Sequence, residues 1–213
     1  MEPPDVKSKI ILASNSPRRR YLLERAGLRF DVIPSRIRES DPGGIPPGQY
    51  VRELASAKAL DVARRHPESW VIGADTVVVV DGAVMGKPSS DEDARRMLFR
   101  LSGRIHEVMT GFCIRRQASG KVFSDTVRTT VQFKELAPAE IDWYIRTGEP
   151  FDKAGAYAIQ GIGTFLVRRI EGSYTNVVGL PVCEVIEILI REGVLGYDRP
   201  YPSPPPADEG GGR

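Results

Sequence analysis

One apolar run, Val71 to Val80, constrains the fold of this 213-residue chain more than any other stretch. It reads VIGADTVVVV, and β-branched residues in such a run are typical of a strand that is buried on both faces. The dipeptide Asp81-Gly82 follows it and favours a tight hairpin turn. Asp75 is the charged residue inside the run, so the sequence predicts a carboxylate in the interior of the protein.

A buried carboxylate requires a partner, because an unpaired one costs several kcal/mol of folding free energy. Two interpretations of Asp75 therefore stay open from this segment alone. Asp75 either belongs to a functional site or is a structural residue that accepts hydrogen bonds from a turn. The other segments of the chain must distinguish them.

Composition limits the class of protein. With 41% hydrophobic and 27% charged residues, the chain is predicted to form a single globular domain over residues 1–197. A formal net charge of +2 does not favour nucleic-acid binding. No stretch approaches the roughly 20 apolar residues of a membrane span, so we expect no membrane segment and no signal peptide.

Three further expectations follow from local composition. Cys113 and Cys183 lie far apart in apolar contexts, which predicts buried thiols in a reducing compartment, and we place the protein in the cytoplasm. Residues 198–213 are rich in Pro and Gly and are predicted to form a disordered tail. The chain has only two histidines, so a catalytic metal would have to be held by carboxylates.

The segment SNSPRRRYLL begins a predicted helix with an unusual first turn. Ser16 is a good N-cap and Pro17 a good first helical residue. The arginines Arg18 to Arg20 follow, although the positive end of the helix dipole favours acidic residues. Together with the hydroxyl groups of Ser14 and Ser16 and the free backbone N–H groups, they would form a phosphate cradle. The alternative is that the arginines are solvated, and at least one should face water.

A second helix is predicted to begin at Pro47 and to end before Pro67. Lys58 interrupts its apolar stripe, which also contains Val51, Ala55 and Val62. Such a lysine either extends its ammonium group to the surface or reaches into a cleft. Glu39 lies in the polar loop before this helix and by itself indicates little.

The remaining segments predict an α/β pattern. In order, they are a helix over Asp91–Leu101 after a capping box at Ser90 and Asp93, a long hairpin of His106–Arg116 and Lys121–Glu135, and helices over Ala137–Thr147 and Pro181–Arg191. Between the last two helices, Asp152, Lys153 and Gln160 occur among glycines. This pattern is typical of backbone that approaches a ligand closely or turns sharply without one.

These segments, taken in order, resemble the Maf family of nucleoside triphosphate pyrophosphatases. The resemblance extends from about Lys9 to about Glu192 and is carried by LASNSPRRRYLL, ASAKA, VIGADTVVVVDGAVMGKP, LSGRIHEVMTG, TGEPFDKAGAYAIQG and GSYTNVVGLP. It implies an α/β fold with a mixed, twisted sheet, flanking helices and two lobes around a central cleft, as in Maf and inosine-triphosphatase-like proteins. It also implies hydrolysis of a nucleoside triphosphate to a monophosphate and pyrophosphate.

Matching motif positions carries the family's residue roles onto this chain. The implied catalytic residue is Asp75, and the implied metal ligands for Mg²⁺ or Mn²⁺ are Glu39 and Asp75. The implied phosphate-binding or essential residues are Ser14, Arg18, Arg19, Lys58 and Lys87. Substrate choice in the dTTP/UTP branch is implied to depend on Arg18, Thr76 and Gln160.

The expected partner is a nucleoside triphosphate, with no nucleic acid and no membrane, and a homodimer is compatible with the resemblance. Nucleotide-pool sanitation or cell-division arrest is the implied cellular role. Two alternatives remain open: a 7-methyl-GTP-type pyrophosphatase, and a regulator of septum formation that binds nucleotides without hydrolysing them. A carboxylate such as Asp75 argues against pure binding, because without a metal it would repel the phosphates.

Overall fold

The computed structural model describes residues 8–38 and 43–196. Glu39 and the predicted tail at residues 198–213 lie outside the described residues, and so does Tyr197, the last residue of the predicted domain.

The described chain folds into strands and helices that alternate along most of its length. The strands are β1 (Ile10–Leu12), β2 (Asp31–Val32), β3 (Trp70–Val80), β4 (Ala83–Met85), β5 (Ile105–Arg116), β6 (Lys121–Phe133) and β7 (Val167–Glu171). The α-helices are α1 (Pro17–Arg25), α2 (Pro47–Arg65), α3 (Asp91–Leu101), α4 (Pro138–Arg146), α5 (Tyr174–Val178) and α6 (Val182–Arg191). Short 3₁₀ helices cover Glu149–Asp152, Ala154–Ala156 and Gly161–Leu166.

The strands form one mixed sheet in the order β2-β1-β3-β5-β6-β7, and β4 pairs with β3 beside this series. Strand β1 is parallel to β2 and β3, whereas the pairs from β3 to β7 are antiparallel. The prediction of a mixed α/β sheet with flanking helices is therefore confirmed. The long β5–β6 hairpin is also present, although β6 ends at Phe133 and not at Glu135.

The central strand β3 is buried almost throughout, as its β-branched sequence predicts. It turns into β4 through Asp81 and Gly82, whose φ angles are 51° and 73°. Two consecutive positive φ angles are the geometry of a type I′ hairpin turn, and this geometry explains the Asp-Gly pair.

Two helix starts follow their predicted caps, one of them incompletely. Ser16 Oγ accepts a 3.4 Å hydrogen bond from the Arg19 backbone N–H at the start of α1. Ser90 caps α3 in the same way by accepting from the Asp93 N–H. The Asp93 carboxylate, however, accepts from the N–H of Ser89 and not from that of Ser90, so only half of the predicted capping box forms.

Helix α2 packs directly on the backbone of β3 and β5. A Cβ atom on Gly73 would lie 2.4 Å from the Ala55 carbonyl oxygen, and one on Gly111 would lie 2.3 Å from the Val51 carbonyl oxygen. Glycine at these two positions therefore permits a helix-to-sheet distance that no side chain would allow. Because Gly111 pairs with Asp75 in the sheet, this close contact brings α2 over the buried carboxylate.

The structure also differs from the sequence predictions. Cys113 is buried, but Cys183 is exposed on α6, so the prediction that both thiols are buried was wrong for Cys183. Strand β7 and helix α5 were not predicted, because each is short and only partly apolar. A helix with the length and hydropathy of a membrane span does not occur in the described part of the chain.

Candidate active site

One cavity between α1, β3 and the loop after α4 collects most of the residues that the sequence singled out. Those lining it are Ser16, Arg18, Arg19, Asp75, Thr76, Lys87 and Gln160. Ser14 and Lys58 line a second cavity, which shares Ser16, Arg18, Arg19 and Lys87 with the first and is therefore continuous with it. Among the described residues, every side chain with a predicted site role thus borders the same cleft.

Asp75 and Lys58 form a buried ion pair at the floor of this cleft. The Lys58 ammonium donates to Asp75 Oδ1 over 2.7 Å, and each residue is 7% exposed. Lys58 therefore does not extend to the surface but lines the cleft, and the carboxylate of Asp75 meets a lysine from another element. The two residues are partners across the α2–β3 contact, and a functional role for Asp75 stays a prediction.

The Arg19 guanidinium is held by three acceptors from different parts of the chain. Its Nε donates to the Gly179 carbonyl oxygen at 2.8 Å, and its two terminal nitrogens donate to Ser14 Oγ at 3.2 Å and Thr76 Oγ1 at 3.1 Å. These contacts tie α1 to β3 and to the end of α5. Arg19 is therefore a pre-positioned cation at the cavity wall.

Thr76 belongs to a hydroxyl network that extends into the core. Its Oγ1 lies 2.9 Å from Thr110 Oγ1, and the Thr110 hydroxyl donates to the backbone oxygen of Asn176 at 3.0 Å. Thr110 and Asn176 are fully buried. The side chain of Thr76 is therefore oriented from below by buried groups and from the side by Arg19.

Arg18 lies across the cleft from Asp152, and the two form a 2.6 Å ion pair. The Lys153 ammonium contacts the same carboxylate. Burial alone would raise the pKa of Asp152, but the hydrogen bonds from Lys153 and Arg18 outweigh it and hold this pKa below its usual range. A phosphate bound at Arg18 would compete with this carboxylate for the guanidinium group.

The third arginine of the turn behaves differently. Arg20 is exposed and pairs with Glu24 on the same helix, so the prediction that at least one arginine faces water is confirmed.

Lys87 and Gln160 also line the first cavity. Lys87 follows β4 and is exposed, while Gln160 is half-buried at the start of the last 3₁₀ helix. Neither side chain makes a hydrogen bond or an ion pair with another described residue. Both polar groups are therefore available to a ligand in the cavity.

The sequence did not single out several groups that shape the site. An apolar wall is formed by Val108, Tyr157, Ile159, Val177 and Val178. Asp152 was noted in the sequence but received no role, since only the fold brings it to Arg18. The wall residues had no sequence signal of their own, because valine and isoleucine in strands and helices are ordinarily core residues.

Carboxylate oxygens suit a Mg²⁺ or Mn²⁺ ion, which proteins commonly hold through one or two carboxylates together with substrate phosphates. Asp75 borders the cavity and fits such a donor set. Within the described ranges, no group of three or more His, Cys, Asp and Glu side chains is arranged around a common point. The other implied ligand, Glu39, lies outside those ranges.

The fold and the cleft define an α/β protein with a cavity that is lined by cationic side chains and by the buried carboxylate of Asp75. The chain belongs to the Maf family: the family model described as Maf-like protein matches residues 9–192.

Similar proteins agree with this assignment. The chain is 53% identical over 189 residues to a protein of Geotalea uraniireducens named dTTP/UTP pyrophosphatase, with 89% of this chain and 97% of that protein covered. It is 48% identical over 207 residues to an Anaeromyxobacter protein of the same name, with 96% and 98% covered. Among solved structures, the Ham1 protein of Staphylococcus aureus is similar with 14% identity and a TM-score of 0.46 over 75% of this chain and 79% of that one, a likeness too weak to support a conclusion.

Proposed function

We propose that this protein is a nucleoside triphosphate pyrophosphatase that hydrolyses the α–β phosphoanhydride of dTTP and UTP. The observation that carries the proposal is the Lys58–Asp75 pair, which places one carboxylate on the floor of a cleft lined by cationic side chains. The names of the relatives at about half sequence identity support the same reaction and the same substrates.

The cleft carries an excess of positive charge, which suits a triphosphate with about four negative charges at neutral pH. Five cations border the cleft, namely Arg18, Arg19, Lys58, Lys87 and Lys153, against the two carboxylates of Asp75 and Asp152. Arg19 is already fixed in place, so it loses little conformational entropy when a phosphate binds. Lys87 has its charge available to a pyrophosphate leaving group.

Asp75 is the proposed catalytic residue. Its carboxylate accepts a proton from a water molecule, whose oxygen then attacks the α-phosphorus while the bond to the bridging oxygen breaks. The products are a nucleoside monophosphate and pyrophosphate. Lys58 keeps the carboxylate at the cavity floor through the 2.7 Å contact.

A divalent cation is proposed as the cofactor, with Asp75 and Glu39 as its protein ligands. When bound, Mg²⁺ or Mn²⁺ orients phosphate oxygens and lowers the pKa of an attacking water molecule.

Base selection is proposed to depend on Gln160, Thr76 and Arg18, which border the same cavity. An amide offers both a donor and an acceptor, so Gln160 can meet a carbonyl oxygen and the adjacent N3–H of uracil or thymine. Cytosine lacks that N3–H and presents an acceptor in its place. Where the amide oxygen of Gln160 faces N3, UTP and dTTP are favoured over CTP. The apolar wall provides a surface for the base.

The test is pyrophosphate release from UTP, dTTP, CTP, GTP and 7-methyl-GTP with Mg²⁺ or Mn²⁺. We expect the native protein to have a higher kcat/KM for UTP and dTTP than for purine triphosphates. In Gln160→Glu, this preference for pyrimidines should be smaller by about 1 to 3 kcal/mol in kcat/KM. A native preference for 7-methyl-GTP would refute the branch assignment but not the chemistry. Tight nucleotide binding without pyrophosphate release would instead support a regulator that only binds.

The cytoplasmic location, the homodimer and the role in pool sanitation or cell division stay predictions.

A further inference from the structure

Glu149 accepts three hydrogen bonds although it lies outside the cleft. Its Oε2 accepts from the Tyr144 hydroxyl at 2.7 Å and from the Gly163 N–H at 2.8 Å, and its Oε1 accepts from the Ile162 N–H at 3.0 Å. The two backbone donors belong to the 3₁₀ helix that begins directly after Gln160. One carboxylate therefore holds the C-terminal side of the segment that presents Gln160.

Tyr144 holds the N-terminal side of the same segment. Its hydroxyl oxygen accepts a 3.2 Å hydrogen bond from the Ala158 N–H, while its proton goes to Glu149. The ring of Tyr144 is fully buried in α4. Burial, followed by the hydrogen bond to Glu149, raises the pKa of Tyr144 far above its usual value, so the hydroxyl keeps the proton that it donates.

The glycines around Gln160 show how closely this pair approaches the segment. A Cβ atom on Gly161 would lie 2.3 Å from Glu149 Oε1, and one on Gly163 would lie 2.6 Å from the Tyr144 hydroxyl oxygen. Gly161 also has a φ of 69°, a conformation that favours glycine. Gly161 and Gly163 thus lie directly against these two side chains, and Gly163 also lies against the Ala158 carbonyl oxygen, 2.4 Å from such a Cβ atom.

Neither Glu149 nor Tyr144 is among the residues that line the cavity, whereas Gln160 is. We propose that Glu149 and Tyr144 are positioning residues that hold the backbone on both sides of Gln160 and thereby fix where its side-chain amide meets the pyrimidine base. The inference rests on the proposed function, because it assigns base selection to Gln160. The cationic groups Arg18, Arg19, Lys58 and Lys87 lie on other elements, namely α1, α2 and the segment after β4. Lys153 lies next to this pair, but its ammonium donates to the backbone oxygen of Glu149, which substitution of either side chain leaves in place.

This separation predicts a specific defect. When the pair is broken, the segment carrying Gln160 gains alternative conformations, while the phosphate-binding groups keep their positions. Glu149→Gln replaces one acceptor oxygen with an N–H₂ donor that faces backbone donors. Tyr144→Phe removes the hydroxyl but keeps the buried ring, so it preserves the packing of the core.

The experiment measures kcat/KM for UTP and CTP in the native protein, Glu149→Gln, Tyr144→Phe and the exposed control Glu135→Gln. For Glu149→Gln and Tyr144→Phe, we expect the UTP-over-CTP preference to fall about tenfold, mainly because kcat/KM for UTP decreases. The control should show no change in this preference. Each substitution is then repeated in a Gln160→Ala background. In that background, each loop substitution should lower the UTP-over-CTP preference almost no further, because the loop substitution and Gln160→Ala disrupt the same contact with the base.

Two results would overturn the inference: an equal loss of activity on both nucleotides, or losses of preference that add to that of Gln160→Ala. Binding of UTP and CTP, measured by calorimetry in the same variants, separates this inference from the proposed function. If the native protein released no pyrophosphate, the proposed function would fail, and the ratio of the two affinities would still test whether Glu149 and Tyr144 set base preference.

Discussion

Lys58 and Asp75 lie on different elements, α2 and β3, and their charged groups meet 2.7 Å apart where each residue is only 7% exposed. Each charge offsets part of the cost of burying the other, so the pair must be considered as one unit. This relationship explains why a helix with an otherwise apolar stripe carries a lysine, and why a buried strand carries an aspartate.

Substitution of Asp75 is expected to affect both the catalytic rate and the folding stability. Asp75→Asn should reduce the rate of pyrophosphate release at least about a hundredfold, as is typical when an acid/base group is lost. It should also lower the melting temperature, because removing one partner of a buried pair costs about 3–5 kcal/mol. The double variant Lys58→Met/Asp75→Asn should regain much of that stability but no activity. Normal turnover by a folded Asp75→Asn protein would contradict the catalytic assignment.

The contact of α2 with the sheet predicts that Gly111 cannot be replaced. In Gly111→Ala the new methyl group would lie 2.3 Å from backbone atoms of Val51, so α2 must shift and Lys58 with it. We expect a loss of about 1–3 kcal/mol or more in the free energy of unfolding, measured by urea denaturation, together with reduced activity. The matched control is Gly48→Ala in α2 itself, because the nearest atom to its new methyl group lies 3.6 Å away. Equal stability of the two variants would show that the helix does not require this distance.

Arg19 and Arg20 are neighbours with different surroundings. Arg19→Ala should raise the KM for UTP about tenfold or more, because its guanidinium borders the cavity, whereas Arg20→Ala should leave the KM unchanged. The charge of Arg19 at the positive end of the α1 dipole, considered alone, predicts that Arg19→Ala leaves the melting temperature unchanged. Because Arg19 makes three hydrogen bonds, we expect instead a modest decrease in the melting temperature. An unchanged KM for Arg19→Ala with a large loss of stability would identify a purely structural arginine.

The buried His106 should make the stability of the fold depend on pH. Its ring is buried in β5, 2.8 Å from the Tyr157 hydroxyl, and burial lowers the pKa of His106 from 6.5 to about 4. The unfolded chain therefore binds a proton before the folded one does, and stability falls as the pH drops from 6.5 towards 4. Between about pH 7.5 and about pH 5, this group should cost on the order of 2 kcal/mol of unfolding free energy.

The control for this prediction is His106→Gln, which keeps a hydrogen-bonding group at the same position and does not titrate. Urea denaturation at several pH values should give the variant a flatter profile over that interval. Both proteins share all other titrating groups, so the difference between the profiles isolates His106. Parallel profiles would show that folding does not shift the pKa of His106, which would contradict the prediction.

The sequence by itself determined the elements whose causes are local. The β-branched run predicts the buried strand β3, the Asp-Gly pair predicts the turn after it, and Ser16 with Pro17 predicts the start of α1, because each depends on near neighbours in the chain. The motif resemblance also named the residues that the structure places around one cleft.

Only the tertiary structure decided which of those residues meet. The partnership of Lys58 with Asp75 depends on how closely α2 approaches the sheet at Gly111, and that distance cannot be obtained from periodicity. The contact of Arg18 with Asp152 likewise joins residues that are remote in the chain. Periodicity shows which face of an element is buried, whereas the packing of elements against one another determines which polar groups share that interior.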